Sequence, residues 1–171
     1  MPQLIVDHLH CLSDTGQWTD DRVYLLLVIA DRGGRCRLRA YHHAPDGWQD
    51  LAEGERRREV LVVDPDWAPD SLVLAALFER NGASDLAPET GLAPVLEQLE
   101  GVRRLFTSLR EQPRVFLAAE LLTAMDRALH AALDDDRKLG QAQLVEPADG
   151  RPLELSFAAG KGHYRLRFLV K

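Results

Sequence analysis

Apolar positions along the chain divide it into three stretches. The first is β. Leu4 to Leu12 is compatible with a strand, and Val23-Tyr24-Leu25-Leu26-Leu27-Val28-Ile29 is an unbroken β-rich run, as expected of a strand buried on both faces. Asp31-Arg32-Gly33-Gly34 is a turn signal. Arg35-Cys36-Arg37-Leu38-Arg39-Ala40-Tyr41 then alternates polar and apolar, which predicts a half-exposed strand returning as a hairpin. After a turn at Pro45-Asp46-Gly47, Glu59-Val60-Leu61-Val62-Val63 predicts another strand. Asp64 to Asp70 is a loop, because Pro65 and Pro69 cannot both sit in a ladder. Ser71 to Glu79 fits helix or strand by pattern alone and is assigned as a central strand.

The middle changes period. Leu92, Val95, Leu96, Leu99, Val102, Leu105, Phe106 and Leu109 recur at three-to-four spacing. Beyond Pro113 a second such run takes in Val115, Leu117, Leu121, Leu122, Met125, Leu129 and Leu133. Together they predict an antiparallel helix pair over about 90–133. The chain then returns to β: Ala142 to Val145, Pro152 to Phe157 and Tyr164 to Val170, the last two joined through Gly160-Lys161-Gly162 as a hairpin. Strands, two helices, strands: this order predicts one mainly β domain over 1–171, an antiparallel sandwich with the helical hairpin inserted between consecutive strands.

Composition narrows the function classes. Apolar residues at 46% and charged residues at 28% describe a globular chain. A net charge of −6 argues against a nucleic-acid binder. Basic residues gather at Arg56-Arg57-Arg58 and at Arg35, Arg37 and Arg39; the latter alternate, so they share one strand face, read as solvated, with an anionic headgroup site as the functional alternative. Cys11 and Cys36 lie in strand-like runs and read as core thiols rather than a disulfide framework. No signal peptide is expected from the first residues. The longest apolar run, Val23 to Ala30, is too short to span a bilayer, so a cytoplasmic protein without a transmembrane segment is expected.

Three acidic segments stand at strand ends. Asp14-Thr15-Gly16-Gln17-Trp18-Thr19-Asp20-Asp21 precedes the Val23 run, Glu79-Arg80-Asn81 follows the Ser71 run, and Asp134-Asp135-Asp136 precedes Leu139-Gly140. Three adjacent carboxylates are unfavourable at a helix C-terminus, where the macrodipole is negative. They suit a loop, either as a solvated turn or around Ca²⁺, which gathers about six to eight oxygen ligands. The arrangement resembles a C2 domain, the β-sandwich whose calcium loops sit at one end. Asp14, Gly16, Asp20 and Asp21 with Val23-Tyr24 match its first Asp-rich loop and the strand after it. Glu79-x-Asn81 matches its Asp-x-Asp pair, and Asp135-Asp136-x-x-Leu139-Gly140 its last acidic stretch. Asn81 brings no charge where Asp is usual, Glu79 is longer, and the helix pair replaces a short link; each weakens calcium affinity. The resemblance implies a non-enzymatic module that binds Ca²⁺ through Asp14, Asp20, Asp21, Glu79, Asn81, Asp134, Asp135 and Asp136. It would dock to an anionic phospholipid surface or a protein partner, with Trp18 placed to contact either.

Two other functions stay open. A calcium-free interaction or inhibitor domain would use the acidic face against a basic partner. A small metal-dependent hydrolase would centre on His8 and His10, which share a strand face, but no His-Glu-x-x-His or Cys-x-x-Cys supports it. No Gly-x-Ser-x-Gly elbow or phosphate-cradling loop is present, so no catalytic residue and no organic cofactor is expected.

Overall fold

The computed structural model describes residues 2–16, 23–30, 36–41, 51–65, 67–68, 71–79, 122–123, 126–127, 137–147 and 150–171. Nine strands form among them: β1 (Leu4–Ser13), β2 (Val23–Ala30), β3 (Cys36–Tyr41), β4 (Arg56–Asp64), β5 (Leu72–Glu79), β6 (Arg137–Lys138), β7 (Gln143–Leu144), β8 (Leu153–Ala159) and β9 (Gly162–Val170). They make two antiparallel sheets. Sheet I has the order β4-β1-β9-β8; sheet II has β3-β2-β5-β6, with β7 also on β5. No helix among the described residues is long and apolar enough to cross a membrane.

The two inner faces share one core. Sheet I supplies Leu4, Val6, Leu9 and Cys11 of β1, with Tyr164, Leu166 and Phe168 of β9. Sheet II supplies Leu25, Leu27 and Ile29 of β2, with Val73, Ala75 and Leu77 of β5. Trp67 closes onto this core from the loop after β4. On β9 every second residue is buried, the signature of a sheet with one face toward the core.

Sheet II has no polar face on its central strands. Its outer side carries Tyr24, Leu26, Val28, Leu72, Leu74, Ala76 and Phe78, each no more than 4% exposed. Tyr24 stacks on Phe78 with ring centroids 5.4 Å apart. The unbroken apolar spelling of β2 and β5 follows from burial on both sides. Lys138, opposite Phe78 in the ladder, pairs with Asp126 at 2.8 Å, which brings the middle of the chain to this face. Leu122, Thr123, Asp126 and Arg127 are helical; the rest of the hairpin expected over 90–133 lies outside the described residues.

Arg37 and Arg39 of β3 are exposed, as a solvated strand face requires, but Arg37 also has a partner across the sandwich. Arg37 and Arg39 lie opposite Ile29 and Leu27, on the inner side of an edge strand. Arg37 crosses to sheet I, donating to the buried Asp64 carboxylate at 3.2 Å, while the Tyr41 hydroxyl donates to the Val62 carbonyl at 2.9 Å. This seam ties the β3 edge to the β4 edge. Arg35 lies outside the described residues.

Gly140 joins the sheets at another point. Between β6 and β7 it adopts φ +80°, and a Cβ there would stand 3.1 Å from both the N and the O of Ala158 on β8. Gly140→Ala therefore meets backbone strain and fixed backbone atoms together, and should lower stability by roughly 1–3 kcal/mol in denaturant unfolding. Gly54→Ala shares a positive φ, +80°, but has open space around it and should cost less.

Candidate binding end of the sandwich

The chain leaves β1 through Asp14-Thr15-Gly16. Asp14 Oδ1 accepts from the Gly16 amide at 2.8 Å, an Asx turn that Gly16 completes at φ +75°. The turn aims Thr15 inward. Its Oγ1 donates to Glu79 Oε1 at 2.9 Å, and a Cβ on Gly162 would lie 2.8 Å from the Thr15 methyl group. Gly162 is thus the notch in β9 that admits Thr15.

Glu79 is the last residue of β5 and is 2% exposed. In the ladder it stands between Val23 and Arg137. Its second oxygen lies 3.7 Å from Arg137 Nη1, and Arg137 Nη2 donates to the Ala159 carbonyl in the β8–β9 turn at 3.2 Å. On the same side Ser13 Oγ donates to the Lys161 carbonyl at 2.6 Å. Thr15 from sheet I and Arg137 from sheet II therefore meet on one buried carboxylate. A carboxylate removed from water needs such partners, one hydrogen bond and one opposite charge here, because leaving it unpaired costs several kcal/mol.

Of the candidate ligands, Asp14 and Glu79 are described; Asp20, Asp21, Asn81, Asp134, Asp135 and Asp136 lie outside the described residues, as does Trp18. Among the described residues no three His, Cys, Asp or Glu side chains gather as a metal-binding group. Thr15 and Arg137 carry no sequence signal of their own. Each sits beside an acidic segment, but their common partner lies 64 residues from Thr15, beyond any local pattern.

His8 and His10 do share the outer face of sheet I. His8 Nδ1 lies 3.1 Å from Asp7 Oδ2, and the ladder sets Arg58 and Arg167 beside His8 and Arg56 and Arg165 beside His10. Four guanidiniums disfavour a divalent cation at this pair. Burial first, then Arg56, Arg165 and His8, hold the His10 imidazole below its ordinary pKa, with Glu154 pulling the other way. The folded chain takes up that proton less readily than the unfolded chain, so the stability contributed by neutral His10 is complete above the ordinary imidazole range and lost as the pH falls through it. His10→Gln should flatten this acid-side loss in unfolding curves recorded across that range. Thr15→Val should cost roughly 1–3 kcal/mol by removing a donor from buried Glu79, and Thr15→Ser should recover most of it in the same measurement.

No family model matches the chain, and no curated protein matches it. Two solved structures of human GIVD cytosolic phospholipase A2 are similar to it, one in complex with methyl gamma-linolenyl fluorophosphonate and one with that inhibitor and terbium chloride. Each aligns with 99% of this chain at 9% identity and a TM-score of 0.36, and the alignment spans 17% of the terbium-containing chain and 16% of the other.

Proposed function

We propose that the chain is a non-enzymatic, C2-like binding module that docks through the loop end of its sandwich to an anionic phospholipid surface or a protein partner, with Ca²⁺ as the candidate mediator. The observation that carries this is the knot of Thr15, Glu79 and Arg137, which gathers the roots of all three acidic segments. Asp14 belongs to the first segment, Glu79 opens the second, and Asp136 directly precedes Arg137. In this proposal Asp14, Asp20, Asp21, Asp134, Asp135 and Asp136 supply charged oxygens and Asn81 a neutral one. Glu79 serves beneath them as the buried anchor, because its carboxylate already faces Thr15 and Arg137. Calcium would cancel carboxylate charge and make the end less repulsive to anionic lipid, with Trp18 entering the interface.

One observation favours a second reading, a calcium-free interaction domain. The Arg137 guanidinium is a permanent cation 3.7 Å from Glu79, where it supplies part of the charge balance a metal would otherwise provide. A basic protein partner could then be met by the acidic loops directly.

Calorimetric titration separates the two. On the first reading, Ca²⁺ evolves heat, the paired change Asp135→Ala/Asp136→Ala weakens binding by at least about tenfold, and phosphatidylserine vesicles are bound only with Ca²⁺. Absence of heat from the intact chain, together with vesicle binding that ignores Ca²⁺, would sink the calcium reading.

A further inference from the structure

The outer face of sheet I carries two parallel cross-strand rows with the same make-up. In the first, His8 of β1 stands between Arg58 of β4 and Arg167 of β9; in the second, His10 stands between Arg56 and Arg165. Strand β8 continues them with Glu154 and Ser156. The chain as a whole carries 27 acidic and 21 basic residues, so four arginines and two histidines on one face run against its balance.

The first row contains its own anion. Between Val6 and His8 the β1–β9 register shifts, and Asp7 is the extra residue of a β-bulge. Its carboxylate lies 3.1 Å from His8 Nδ1, 3.9 Å from Arg58 Nε and 4.0 Å from Arg167 Nη1. The second row has no such residue: the position between His8 and His10 is Leu9, which is in the core. Among the described residues its carboxylate neighbour is diagonal, Glu154 Oε2 at 3.6 Å from Arg165 Nη1, and that side chain is about half exposed at the rim.

We propose that Arg56, His10 and Arg165 bind a phosphomonoester group, which completes their row as Asp7 completes the row beside it. The donors come from three adjacent strands about 4.8 Å apart, matching a tetrahedral group with three acceptor oxygens better than a planar carboxylate with two. Guanidiniums bind such oxygens through paired N–H groups and stay charged at any physiological pH. The groups facing His10 are Arg56 on β4, Arg165 on β9, His8 on its own strand and Glu154 on β8. The two guanidiniums oppose protonation of His10, and a bound dianion reverses that balance, so binding draws a proton onto the imidazole. The site lies on the outer sheet face rather than in the loops, and stands whether or not calcium binds there.

The test follows the His10 ring signal of the intact chain by NMR during acid titration, with and without inorganic phosphate. Sulfate is a second probe, dianionic throughout, which separates the protein's proton from the ligand's. Both anions should raise the His10 midpoint. Sulfate affinity should increase as the pH falls toward that midpoint, by up to about tenfold per pH unit for one linked proton. Arg56→Gln/Arg165→Gln should abolish binding, and His10→Gln should retain weak binding without pH dependence. Phosphatidylcholine vesicles containing phosphatidic acid then assign the source: capture that is lost in the double variant identifies a lipid headgroup, and phosphate binding without vesicle capture identifies a soluble ester. A His10 midpoint unmoved by both anions in the unaltered chain overturns the proposal, as does undiminished binding in the folded double variant.

Discussion

Glu79 places a carboxylate at the buried end of the central strand of sheet II, where water cannot solvate it. Its neighbours must therefore balance it, and they come from different layers: Thr15, on the exit from sheet I, donates to Oε1, and Arg137, on the strand that enters sheet II, sets its positive charge 3.7 Å from Oε2. The electrostatic demand of one side chain thus closes the two layers together at one end. Arg137 adds to this closure by donating to the β8–β9 turn. A hydrophobic residue at position 79 would fill the space without needing either partner, so what the carboxylate adds is a specific joining of three chain segments.

The two sheets solve burial differently. Sheet II hides both sides of its central strands, which is why β2 and β5 are spelled almost wholly in apolar residues. Sheet I turns one side to the core, and its other side carries arginine and histidine on β1, β4 and β9, with Ile5 and His8 of β1 buried there as well. Sheet I thereby gathers two rows of arginine and histidine on its outer face, while the acidic segments stand at strand ends.

Much of this was legible in the sequence where a period extends over several residues. The Val23 run, the Ser71–Glu79 run as a central strand and the closing hairpin are all present. Val60 and Val62 show the limit of the pattern, since both are exposed on the outer side of β4 while Val63 is buried. β6 escaped because two residues carry no period. The start of β4 escaped because Arg56, Arg57 and Arg58 read as a charge cluster, although two of them alternate outward with the histidines of β1. The Thr15–Glu79–Arg137 knot was illegible for a different reason: the acidic segments advertise charge, whereas their meeting depends on strand order.

The bulge in β1 has a consequence for how the strand tolerates changes of length. Core positions are even before it, at Leu4 and Val6, and odd after it, at Leu9 and Cys11. A chain one residue shorter at position 7 would alternate without interruption and present the same four side chains to the interior. Hydrophobic parity therefore does not require the seventh residue. Its product is a negative charge held under two arginines, which the strand accommodates by stepping out of phase once.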